Sequence, residues 1–91
     1  MLIRSQDKKS ILNINSITGL FIYSKNSETN IIEAVGFGSL GIYTTEGKAT
    51  KVLDMVQAEY KAPKTYSDVT DSKVEIYETK VFEMPKDYEV Y

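Results

Sequence analysis

At 91 residues, with 42% apolar and 26% charged side chains, the chain has the make-up of one folded domain whose core can bury roughly 60 to 65% of its unfolded surface. It holds no cysteine and no histidine, which excludes disulfides, thiolate metal sites and thiol nucleophiles and removes the usual general base and pH switch near neutrality. The formal charge of −2 is uneven, with eight Lys/Arg against six Asp/Glu over residues 1–66 and three against seven over residues 67–91, so the end of the chain is acidic.

The opening MLIRSQDKKS has no apolar run of secretion-signal length. No segment approaches the roughly 20 apolar residues that span a bilayer. A cytoplasmic location without membrane attachment is the expectation. Leu2 and Ile3 open a short strand, SQDKK reads as a polar turn, and Ile11 to Ile14 resumes as a strand. After the turn formers Asn15 and Ser16, the β-branched and aromatic TGLFIYS predicts a strand over 18–24, with Leu20 and Ile22 facing the core and Phe21 and Tyr23 facing out. KNSETN is then a hairpin loop. Strands follow over Ile31–Phe37 and Ser39–Tyr43, with Gly36, Gly38 and Gly41 in and around their turn.

Ala49, Val52, Leu53, Val56 and Tyr60 recur at intervals of three and four, which places one apolar stripe along a helix. Thr44 or Thr45 can cap its start, Glu46 suits the positive pole, and Pro63 forbids continuation, so the helix spans about residues 45–61. Residues 62–72 read as loop. VEIYETKVF alternates as a strand over 74–82, in which either Phe82 is the inward residue or a bulge lies near Thr79. Pro85 closes that strand, and residues 84–91 read as a frayed tail. The expectation is a single α+β domain over 1–91, an antiparallel sheet of four to five strands packed against the one amphipathic helix.

GFGSLG, residues 36–41, matches the dinucleotide-binding G-x-G-x-x-G letter for letter, but there the glycines open a helix directly onto a pyrophosphate. Here Ile42 and Tyr43 intervene as strand residues, so a glycine-rich hairpin is the better reading. Asp68 and Asp71 lack the other ligands and the glycine of a calcium loop, and SDVTDS reads as turn chemistry. Glu75 and Glu78 point to opposite faces of a strand and do not converge as an acid/base pair. No cofactor, metal or catalytic residue is therefore assigned. Aromatic residues that stack on nucleic acid normally come with a basic groove, and the acidic balance speaks against that partner. Glu75, Tyr77, Glu78, Glu83, Asp87 and Tyr88 instead make an acidic, aromatic end suited to a protein partner.

The segments MLIRSQDKKSILNINSITGLFI, LGIYTTEGKATKVLDMVQAEY and VFEMP resemble the pattern of small uncharacterised proteins of low-GC Gram-positive bacteria and their phages or mobile elements. The resemblance covers most of the chain and implies a short cytosolic accessory protein; no functional residue is carried over with it. Without reaction machinery, the expected function is non-catalytic contact with another protein, such as a host protein, through a sheet edge or the acidic end. An unprotected edge would also allow a homodimer. The alternative is a small-molecule or nucleotide-binding module that uses the Gly36–Gly41 turn and the helix start.

Overall fold

The computed structural model describes residues 1–61 and 80–91. In chain order they form β1 (Leu2–Arg4), β2 (Ile11–Asn13), β3 (Leu20–Asn26), β4 (Thr29–Ala34), β5 (Gly38–Tyr43), α1 (Glu46–Lys61) and β6 (Val81–Glu83), with 3-10 turns at Ile14–Ser16 and Asp87–Glu89. The class is α+β with one helix, as the patterning predicts. The strands, however, divide into two three-stranded sheets, ordered β2-β1-β6 and β3-β4-β5. One pairing is parallel, since β6 lies beside β1 with Ile3 opposite Phe82. Alternation identifies strands but not their partners, and a pairing between the two ends of the chain leaves no local trace.

The SQDKK turn is closed by its own side chains. The Ser5 hydroxyl donates to Asp7 at 2.7 Å, and the same Asp7 oxygen accepts from the Lys9 amide at 2.9 Å. Ser5 and, next to it, the Asp7 turn hold that carboxyl below the usual carboxylate range. β1 thereby folds back onto β2 in register, with Ile3 opposite Leu12, both buried.

β3, β4 and β5 form an antiparallel meander. Gly36 (φ 91°) and Gly38 (φ 125°) carry the β4–β5 turn through backbone angles that favour glycine, so β4 ends at Ala34 and not at Phe37. Opposite Ile32 and Glu33 the register shifts, which leaves both Leu40 and Gly41 buried. The Asn26 side chain accepts from the Glu28 amide at 2.9 Å, so the β3–β4 turn is shorter than KNSETN suggested and both strands extend into it.

Thr45 caps α1, its hydroxyl accepting from the Lys48 amide at 3.0 Å. Ala49, Val52 and Val56 are buried against the inner face of β3-β4-β5, where they meet Ile32, Ala34, Leu40 and Tyr43 in one core with Ile3 and Leu12. Phe82 faces this core and Val81 faces out, which resolves the alternatives at that strand; residues 74–79 lie outside the described residues. The segment 84–91, expected as a frayed tail, is packed instead. Met84 is 1% and Val90 5% exposed, and both belong to the core. Among the described residues no helix is long and apolar enough to cross a membrane.

Candidate functional site

The two edges of the β3-β4-β5 sheet are treated differently. Along β5 the Gln6 amide donates to the Leu40 carbonyl at 2.8 Å. The Gln6 side chain then accepts from the Ile42 amide at 3.0 Å and donates to the Ile42 carbonyl at 3.1 Å. Its Nε2 also donates to the Pro85 carbonyl at 3.1 Å. One glutamine thus satisfies the edge of β5 much as a strand residue would, and ties the two sheets and the C-terminal segment together.

Among the described residues the edge of β3 has no such cover. The Gly19 carbonyl accepts from the Val35 amide at 2.9 Å, which fixes the sense of the ladder. In an antiparallel pair, hydrogen-bonded and non-hydrogen-bonded pairs alternate. Gly19, Phe21 and Tyr23 therefore bond toward β4, and the N–H and C=O groups of Leu20, Ile22 and Ser24 point to the outer side. Among the described residues no backbone strand pairs with that side.

Beside this edge lies an apolar groove of about 320 Å³. Ile14, Ile17 and Leu20 form one wall, and Leu53, Val56 and Tyr60 of α1 form the other, with Gln57 at the rim. No residue of β4 or β5 and no charged residue lines it, and of β3 only Leu20 does, so it lies between the segment 14–20 and the second half of α1. Tyr60, 57% exposed, holds its hydroxyl 3.5 Å from the Asn15 side-chain oxygen across the mouth. Tyr60, the last member of the apolar stripe along α1, is thus left at the groove and outside the buried core.

Of the residues proposed from the acidic end, Glu75, Tyr77 and Glu78 lie outside the described residues. Glu83 pairs with Lys8 across β6 and the β1–β2 turn, and that ammonium holds its carboxyl below the usual range. Asp87 accepts from the Thr44 amide at 2.8 Å and hydroxyl at 3.1 Å, and from Lys48 at 3.3 Å. The Thr44 amide above all lowers its carboxyl. These contacts dock the C-terminal 3-10 turn on the corner between β5 and α1. Tyr88 is 73% exposed.

The Gly36–Gly41 stretch forms the turn and the first residues of β5. It does not lead into α1, whose first turn is closed by Thr45 through its hydroxyl to Lys48 and its carbonyl to Ala49 at 3.2 Å. A Cβ on Gly41 would sit 3.1 Å from the Tyr43 ring, so that glycine is explained by packing. The outer face of the sheet carries Tyr23, Ile31 and Ile42 in one row, with Phe21 beside them, and Phe21 and Tyr23 face out as their alternation predicts. Against known proteins, no family model, no curated protein and no solved structure matches this chain.

Proposed function

We propose that this protein is a non-catalytic accessory protein that works by stoichiometric contact with another protein, and that the contact is made at the outer edge of β3 and the groove next to it. The observation that carries this reading is the asymmetry between the edges among the described residues, β5 closed by Gln6 and β3 without a paired strand beside an apolar slot. Open strand edges recruit further strands unless they are covered or charged. A cytoplasmic setting and a host protein as the partner are part of the same proposal.

The test is retention of a partner at defined stoichiometry by the tagged protein from host lysate, followed by the same capture with Tyr60→Asp and Gln57→Glu. Both positions are exposed and line the groove. Loss of the same partner in both variants is expected, with the variants' melting temperatures little changed. Capture of no stoichiometric partner, or equal capture by all three proteins, overturns the reading.

A further inference from the structure

The chemistry of this edge selects the class of partner. Leu20, Ile22 and Ser24 present amides and carbonyls outward at every second residue, a pattern that only an extended backbone can match group for group. Successive side chains of such a backbone point to opposite faces. One on the inner side beside Leu20 would project, as Leu20 does, toward Leu53 and Val56 in the groove; those on the outer side would lie next to the exposed rings of Phe21 and Tyr23. The groove lining carries no charge, so a charged side chain there would lose its hydration without a counter-ion. Aliphatic or aromatic side chains fit it.

The size of the surface argues in the same direction. From Leu20 to Ser24 the edge runs about 14 Å at ~3.4 Å per residue, and a strip of that length with a single groove falls well short of the roughly 800 Å² per partner of a stable interface between two folded proteins. It is the dimension of a short peptide. We infer that the site takes an extended, unstructured segment of a partner protein, five to six residues or so in length, which adds to β3 as a further strand and places an apolar side chain in the groove beside Leu20. This inference rests on the reading of the β3 edge as the contact surface.

The probe is a displayed library of random heptapeptides selected against the full-length protein, followed by amide hydrogen exchange with the best peptide synthesised. Enrichment of sequences that share an apolar residue at one position is expected, with Kd on the order of 1–100 μM for so small a contact. Exchange at Leu20, Ile22 and Ser24 should slow at least about tenfold on saturation. Peptide methylated at its backbone nitrogens, and the Tyr60→Asp protein, should each bind at least about tenfold more weakly.

Failure to enrich any peptide overturns the inference. So does full protection of those three amides in the free protein, or a light-scattering mass showing that the edge is occupied by a second copy. If peptides fail while a captured folded protein still protects the β3 amides, the peptide inference falls and the edge remains the contact surface. If peptides bind but protect amides elsewhere, the assignment of the edge falls as well.

Discussion

Tyr43 shows how much one side chain can fix. Its ring is fully buried and its hydroxyl donates to the Pro85 carbonyl at 2.7 Å, so a single residue of β5 holds the C-terminal segment against the sheet. Tyr43→Phe keeps the packing and leaves Pro85 its bond from Gln6, so a loss of about 1 kcal/mol is expected in urea unfolding, the usual net worth of one hydrogen bond. Burial pushes the Tyr43 phenol above its ordinary value near 10. A raised folded-state value means that its contribution to stability is complete below about pH 10 and is lost as the pH rises beyond that. Asp7, Glu83 and Asp87 are lowered, so their contributions are complete above about pH 4 and fade as the pH falls through the folded-state values. With no histidine in the chain, melting temperatures measured across pH should form a broad plateau over about pH 5–9 that falls away on both sides. A sharp transition near pH 6 would contradict this assignment. Asn30, 2% exposed, is a buried polar residue that the alternation gave no reason to expect; its amide donates to the Tyr43 carbonyl at 3.2 Å and its oxygen accepts from Ser24 at 2.7 Å.

Among the elements, α1 follows from its own sequence and the C-terminal segment does not. The stripe, the acidic first turn and the Thr45 cap all agree on one helix, and Thr45→Ala should cost about 1 kcal/mol of stability by denaturant titration. The C-terminal residues read as polar and unpatterned because their anchors are spread over other elements: Asp87 on Thr44 and Lys48, and Val90 in the core. Removal of Lys86–Tyr91 loses the Val90 burial and the Asp87 bonds together. A destabilisation of about 2–4 kcal/mol is expected in the same titration. A truncated protein as stable as the intact one would show the segment to be an unattached tail.

At the scale of the molecule, Gln6 joins what the pairing of strands leaves separate. It lies just beyond β1 in one sheet and bonds to Leu40, Ile42 and Pro85, so its amide plane both closes the β5 edge and couples the sheets. Gln6→Ala takes the side-chain partner from both the Ile42 amide and the Ile42 carbonyl, while the Pro85 carbonyl keeps its bond from Tyr43. It should cost about 1–3 kcal/mol and raise amide exchange along β5 more than along β3. Equal exchange in both strands would remove Gln6 as the cover of that edge. The same comparison bears on the proposed function, because it tests whether the two edges differ as their hydrogen bonding says.

Composition and periodicity by themselves determined the α+β class, the helix to within a residue of its start, the inward face of β3, and the absence of thiol and imidazole chemistry, while the choice at Phe82 was left to the tertiary structure. These are local properties, written in intervals of two and three to four residues and in which residue types are present. Tertiary structure alone decided the split into two sheets, the parallel β1–β6 pair, the docking of the C-terminal segment and, among the described residues, the unpaired flank of β3. Each of these depends on which distant backbone groups find partners, as Gln6 with Ile42 or Asp87 with Thr44 do. Hydrogen bonds between residues some forty positions apart impose no spacing on the sequence between them.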